Sequence, residues 1–378
     1  MNTAPTATPI GKDQIQEWAD NLRGPVALHI RQALVPVEGK HGVFFPPTYA
    51  MEKKDVPYAI DELSDGTKVA QIDSVGSQAN RMEPIFKKAP EGRTPNPLAE
   101  LVPQIEIAPE TGAAVSIFEI GHRIGDAFVR SSSLKEDVRV AFDSYRLRGD
   151  ATAIAKLAPT SIVFGAWDSR GEQAKLPRIV QSVIRAWDVD VLHRSAQYGP
   201  PVNYAELDIF SEDEKQKVEG DSKNPLAKAG FGHVPAVNSH GGIVARGGIF
   251  RDVTVNLVAL RQLDGKENGA ALRRYILALA LVAATEPQDG FLRQGCLLVP
   301  DVDSPAVWHV IGRTGQRTPV ELLPQILLTL ASDAAKDFGV GKSRVEKFLK
   351  ESAKAEIAEL KKAKPAAKKA PKDASTAD

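Results

Sequence analysis

Cysteine is almost absent: Cys296 is the one thiol in a chain of 378 residues. A lone thiol closes no internal disulfide and anchors no zinc site of the multi-cysteine kind. A reducing, cytoplasmic compartment is the expectation. Charge of one sign is missing too, since Lys plus Arg and Asp plus Glu are each 48 and the formal net charge is zero. Bulk attraction to nucleic acid or to a membrane is thereby excluded, and any basic footprint must be local. Long apolar runs are lacking. The longest, Tyr275 to Ala284, has ten residues, half of the roughly 20 that a bilayer span needs. It predicts a core helix and no membrane partner. The opening MNTAPTATPIG has no basic segment followed by an apolar one, so no secretory leader is expected.

Catalytic and metal motifs are also missing. The seven histidines show no pair at helical metal spacing, and His122, His233 and His240 stand alone in Gly-rich surroundings. Gly341-Lys342-Ser343 lacks the earlier glycine of a phosphate loop, because Lys336 holds that place. Trp167-Asp168-Ser169 has no flanking elbow glycines. Arg246-Gly247-Gly248-Ile249-Phe250 lacks the aromatic spacing of an RNA-recognition strand and reads as a turn before a strand. No catalytic residue, metal or cofactor is expected, and the chain is not expected to be an enzyme. No internal repeat of fixed period is present.

What is there suits an α+β chain. Hydrophobic residues make up 43%, ample for a large core. Strands are expected at Gly24–Val37, Val115–Ile120, Ser161–Trp167, within Pro177–Val191, at Thr254–Leu260 and at Cys296–Val299. Helices are expected near Ser77–Glu83, ended by Pro84, and at Ile124–Arg130 and Gly269–Thr285. Thr318-Pro319-Val320-Glu321 and Ser343-Arg344-Val345-Glu346 have capping-box form and predict helices over 319–337 and 343–363. Residues 1–12 and the lysine-rich run 361–372 read as disordered.

Three local features point to function. Asp73-Ser74-Val75-Gly76-Ser77-Gln78-Ala79-Asn80-Arg81 puts small and polar residues at a helix start, with an arginine one turn in. Free amides there favour an anion, and Arg81 adds a charge-assisted donor. Between Gly121 and Arg194 arginine outnumbers lysine nine to three, and Arg123, Arg130, Arg178 and Arg185 flank apolar segments. Arginine suits phosphate and base-face contacts. The segment 195–248, rich in glycine and carrying the charged run Ser211–Glu219, reads as a long insertion or hairpin that reaches a neighbour.

The stretches FFPPTYA (44–50), DSVGSQANRMEP (73–84), EIGHRIGDAFVRSS (119–132), APTSIVFGAWDSRG (158–171), KLPRIVQSVIRAWDV (175–189) and GFGHVPAVNSHGG (230–242) together resemble a known family. It is the repeated backbone subunit of type I CRISPR effector complexes, the seventh Cas family of the RAMP superfamily, in its subtype I-G (formerly I-U) form. The Ser77-Gln78 to Arg81 element also resembles the S-S-Q-x-x-K-R helix of other subtypes, departing from it in Gly76 and Asn80. The resemblance implies an RNA-recognition-motif-like (ferredoxin-like) palm with a helical finger region and a protruding thumb. The domain would span 13–352 with 195–248 as thumb, followed by the end of a C-terminal helix and a tail over 353–378. It implies copies polymerising in a helical filament on a guide RNA (crRNA), in contact with other effector subunits and with target DNA through the guide duplex. The RNA-binding candidates are Ser77, Gln78, Arg81, Arg123, Arg130, Lys175, Arg178, Arg185 and Arg246. The alternative is a type III backbone subunit that cuts target RNA with a loop aspartate and a metal, for which Asp65 and Asp73 are the candidates.

Overall fold

Ile249 to Asn256 alternates between buried and half-buried residues at every position, the period of a strand with one covered face. It belongs to a mixed α+β fold, seen in a computed structural model that describes residues 7–50, 58–168, 174–219, 221 and 223–363. The strands used below are β1 (Ala27–Pro36), β2 (Lys68–Asp73), β3 (Val180–Trp187), β4 (Val189–Tyr198), β5 (Val234–Ala245), β6 (Ile249–Asn256), β7 (Cys296–Pro300), β8 (Trp308–Ile311) and β9 (Arg317–Glu321). The helices are α1 (Val75–Met82), α2 (Gly269–Thr285) and α3 (Pro324–Phe338). The main sheet runs β9-β8-β1-β6-β3-β2, with Thr8–Pro9 outside β9 and Ile60–Glu62 outside β2. β7 pairs with the far end of β1. Among the described residues no helix is long and apolar enough to cross a membrane.

β6 lies antiparallel to β1 and β3, with Ile249 opposite Leu34 and Ala186, and Val255 opposite Leu28 and Val180. These residues share the inner face. At one end, Leu28, Val180, Val253 and Val255 join a large cluster under α2 and α3. Every residue from Tyr275 to Ala284 in α2 is buried, as expected of a helix apolar on all sides. At the other end, Leu34, Ala70, Ile184, Ala186 and Ile249 join Phe44, Val189, Ile243, Cys296 and Leu298 in a second cluster. Burial there pushes the Cys296 thiol up to about 12, so it packs as an inert apolar residue. Between the clusters the inner face is polar, holding Asp73, Gln78, Ser182 and Arg251, all buried. The β2–β3 ladder shifts register between Gln71 and Asp73. That irregularity turns both Ile72 and Asp73 inward, one to the second cluster and one to the polar layer.

Asp188 takes a left-handed φ of 48° and turns β3 into β4. β4 and β5 form a separate two-stranded ladder, from Val189 opposite Ala245 to Tyr198 opposite Val234. Val189, Ile243 and Ala245 root it in the second cluster. Beyond Tyr198 lies a tip with its own small centre. Val218 and Ala227 are buried there without belonging to either cluster, and the Tyr204 and Phe231 rings meet edge to face at 5.0 Å. The Glu212–Val218 helix of this tip starts on a capping box made by Ser211 and Glu214.

Several elements differ from their sequence expectation. Ser161–Trp167 is no strand: Thr160–Val163 is a buried helical turn, since a short run apolar on every side has no period to separate the two. Val115–Ile120 is a strand only over Val115–Ser116, after which Ser116 caps a 3-10 turn. Ile124–Arg130 divides into a 3-10 turn at Arg123–Gly125 and a helical turn at Ala127–Arg130 capped by Asp126. The strand expected at Thr254–Leu260 ends at Asn256, whose side chain accepts from the Ala259 amide and starts the helix Leu257–Arg261. Both expected capping boxes near the C-terminus are strands. Thr318–Glu321 lies in β9, paired with β8, and α3 begins only at Pro324. Arg344–Lys347 pairs parallel with Ile105–Ala108, and the last helix begins at Lys350. Ladder partners distant in sequence override a local cap signal in both cases. Near the N-terminus, Thr8–Pro9 pairs with β9 and Lys12–Asp20 is a helix. The tail from 364 lies outside the described residues.

Since Tyr198 and Val234 face each other directly, an Asn-Gly turn can replace residues 199–233. The shortened protein is expected to unfold in one transition, within about 0.5 kcal/mol of the parent. Loss of cooperative unfolding in a thermal melt would show that the tip is part of the main core.

Candidate nucleic-acid interface

Ser74 starts α1, its hydroxyl accepting from the Ser77 amide at 3.2 Å and lying 3.0 Å from the Ser77 hydroxyl. Helix geometry leaves the Val75 and Gly76 amides as free donors at this end. A side chain at Gly76 would meet only the Ser74 hydroxyl, at 3.9 Å, so the backbone is open to close approach. The inward side of α1 is polar where it crosses β3. Gln78 Nε2 donates to Asp73 Oδ2 at 2.7 Å, while its Oε1 accepts from Ser182 at 2.6 Å and from Arg251 Nε at 3.3 Å. Arg81 Nε donates to the same Asp73 oxygen at 3.0 Å, and its two terminal nitrogens reach the carbonyls of Phe291 and Leu292 at 3.3 and 3.0 Å. Burial pushes the Asp73 carboxyl above its ordinary range, against the pull of Gln78 and Arg81. Arg251 has no carboxylate partner among the described residues, and burial lowers its guanidinium to about 10. It is still a cation at neutral pH.

The turn Glu83–Phe86 carries α1 into a second buried pair. Arg123, at a left-handed φ of 55°, sets Nε 2.6 Å from Glu83 Oε2. Its terminal nitrogens donate to the Gly165 carbonyl at 3.2 Å and to Asn80 Oδ1 at 3.1 Å. Burial pushes Glu83 up to about 7, with Arg123 pulling the other way, and burial likewise lowers Arg123. This pair binds α1 to the 121–125 turn and to the Gly165 backbone. Gly165, at φ 78°, is required there: a Cβ would stand 2.7 Å from Arg178 Cγ.

Of the sequence candidates, Ser77, Arg81, Lys175 and Arg178 keep surface open to solvent. The Arg81 side chain keeps 36% of its surface exposed. Arg178 is exposed and donates through Nε to the Phe164 carbonyl at 3.1 Å. Lys175 is exposed beside Trp167, its ammonium 5.9 Å from the ring. Gln78 and Arg123 are enclosed. Arg130 is largely buried and occupied, donating to Gly125 at 2.7 Å and to Glu356 at 3.1 Å. Arg185 lies apart on the outer face of the sheet. Arg246, in the turn after β5, pairs with Asp190 at 2.5 Å. Sequence reasoning missed Arg251 and Ser182. Arg251 occupies a buried-parity position of an alternating strand, which is the signal that was available.

Asp65 caps the exposed turn before β2, accepting from Thr67 at 2.9 Å. Asp73 ends the same strand, so the two stand about 17 Å apart or more at 3.3 Å per residue. His122 pairs with Asp126 and His233 with Gln197, each at 3.2 Å, in separate parts of the fold. Among the described residues no three His, Cys, Asp or Glu side chains gather as metal ligands.

The Glu83–Arg123 pair makes stability pH-dependent. A carboxyl at about 7 in the fold and 4.5 when free contributes fully below 4.5, and this contribution is lost as pH rises through 7. Removing Arg123 leaves Glu83 unpaired. Arg123→Leu is expected to cost about 3–5 kcal/mol at pH 8 and clearly less at pH 5, where Glu83 takes a proton. Equal losses in urea melts at both pH values would contradict this pairing.

No curated protein matches the chain. The family model of CRISPR-associated protein GSU0053 matches residues 28–191, which run from β1 through β2, α1 and β3 into β4. The match supports a CRISPR-associated protein with a role in CRISPR defence.

Proposed function

We propose that the chain is a noncatalytic backbone subunit that polymerises along the guide RNA of a type I effector complex. The palm would be the RNA-recognition-motif-like sheet of that family and the β4–β5 hairpin its thumb. Copies of the chain, the other effector subunits and target DNA paired to the guide would be its cytoplasmic partners. One observation carries the reading. Gly76, Ser77 and Arg81 lie on the side of α1 opposite its buried residues Gln78, Ala79 and Met82, and the exposed Arg178 bonds the Phe164 carbonyl next to Gly165, which Arg123 ties to Asn80 of α1, with Lys175 exposed just before it. That set supplies phosphate contacts and no base-edge code, which suits a protein that holds any guide and leaves sequence to base pairing. The chain's zero net charge puts no bulk repulsion between neighbouring copies. Contacts that do not close on themselves would build a filament.

The type III alternative has less support. Asp65 and Asp73 are at opposite ends of β2, and Asp73 Oδ2 is already shared by Gln78 and Arg81. A complementary RNA incubated with the wild-type complex and magnesium should stay intact, and its cleavage would favour that alternative.

Arg178→Ala and Lys175→Ala should each weaken binding of all guide sequences alike. Each should lower the salt slope of log affinity by about 0.7, the single-strand value per phosphate. Arg81→Ala should do the same and also lower the melting temperature without RNA, because Asp73 loses its cation. Filter binding at four salt concentrations measures the slopes. Unchanged slopes in all three variants, with a protein that purifies as an RNA-free monomer by light scattering, would refute the reading.

A further inference from the structure

The outer face of the central sheet carries a second constellation, on the side away from α1. Parity assigns His29 and Arg31 of β1, Phe250 and Asp252 of β6, and Arg185 and Trp187 of β3 to this face. Phe250, Asp252, Arg185 and Trp187 are half-buried and Arg31 is exposed, whereas the inner partners Leu34, Ile249, Val253 and Val255 are enclosed. Arg31 lies opposite Asp252 in the ladder, yet it makes no ion pair with it. Its guanidinium instead lies over the Phe250 ring, 4.2 Å from the centroid, and 5.8 Å from the ring of Trp187. Gly248 supports this arrangement, because a Cβ there would stand 3.1 Å from the Phe250 ring.

Charge on this face is unbalanced. Among the described residues neither Arg31 nor Arg185 has a carboxylate partner. The central carboxylate, Asp252, is taken by His29 at 3.3 Å. Burial lowers the His29 pKa from its ordinary value despite Asp252. A cleft of 210 Å³ adjoins Phe250, lined also by Ala33, His41, Arg246 and Gly248. That is below the roughly 300 Å³ of ordinary small-molecule pockets, and its cations are paired, Arg246 with Asp190 and Lys40 with Asp301, so what it adds is access to the Phe250 ring.

We infer that this outer face is a stacking platform for single-stranded nucleic acid, separate from the α1 residues Ser77 and Arg81. A guanidinium lying on an aromatic ring presents its other plane outward, and unpaired bases stack on such planes. Arg31 and Phe250 would hold one base, with Trp187 beside them, and Arg185 would meet a neighbouring phosphate. The inference goes beyond the α1 reading and rests on a different set of residues.

The test uses the full chain and a 12-nucleotide oligouridylate carrying 5-iodouridine. Arg31→Ala and Phe250→Ala should each weaken binding about 5- to 100-fold, the range for one stacked base, and Phe250→Tyr should restore most of it. Irradiation should crosslink the RNA to the peptide holding Phe250 or Trp187, located by mass spectrometry. An abasic oligomer of equal length should bind wild type and Phe250→Ala alike. Should Phe250→Ala lower the melting temperature, Arg31→Ala and the crosslink still decide. Full affinity in both alanine variants, with no crosslink on this face but a dependence on Arg178, would overturn the platform and leave the α1 reading standing. No binding of the oligomer by wild type overturns both. Competition by polyglutamate as effective as by unlabelled RNA would assign the face to an acidic polypeptide and overturn the inference.

Discussion

Gln78 stands between a buried carboxylate and a buried guanidinium, and much of the fold is arranged around that fact. Its amide donates to Asp73 and its carbonyl oxygen accepts from Ser182 and Arg251. Leaving any of these groups unpaired would cost about 1–3 kcal/mol, more for the charged ones. The network therefore specifies how α1 sits on β3 far more sharply than apolar contact would. It also explains why the inner face of the sheet carries two hydrophobic clusters and not one. The polar layer separates them, and the bulge in β2 places Asp73 at the boundary.

A second buried pair extends this arrangement outward. Glu83 continues from α1, and Arg123 holds it while also reaching Asn80 and Gly165. Three segments distant in sequence are thereby fixed around the outer side of α1. The buried charges position the assembly, whereas Arg178 and Lys175 are exposed. Arg81 does both, bonded to Asp73 yet one-third exposed. The β4–β5 hairpin is fixed differently. Its base belongs to the second cluster, and its tip packs on itself.

The period-2 alternation of β6 links the two candidate surfaces. One parity places Arg251 in the polar layer beneath α1. The other places Phe250 and Asp252 on the opposite side, where Arg31 lies over Phe250. A one-residue slip would exchange the two sets, so the ladders that fix the register of β6 also fix which cations face solvent.

The sequence by itself determined the α+β composition, the buried helix Gly269–Thr285, the strand at Ala27–Pro36, the hairpin, and a short helix expected near Ser77–Glu83 that the fold starts earlier, at Val75 after a Ser74 cap. Each has a local cause: periodicity, an apolar run, a capping residue, or a segment rich in glycine and charge. It also singled out Ser77, Arg81, Lys175 and Arg178, all of them at least partly exposed in the fold. Local signals failed where distant partners decide. Two capping-box patterns became strands because β8 and Ile105–Ala108 supply ladder hydrogen bonds that no local window contains. The roles of the arginines were likewise a tertiary matter. Arg123, Arg130, Arg178 and Arg185 look alike in sequence, yet Arg123 meets Glu83, Arg130 meets Glu356, and Arg178 and Arg185 meet no acid among the described residues. Burial and the approach of a carboxylate are properties of the folded chain, and they alone decide whether an arginine holds the fold or is free to hold a ligand.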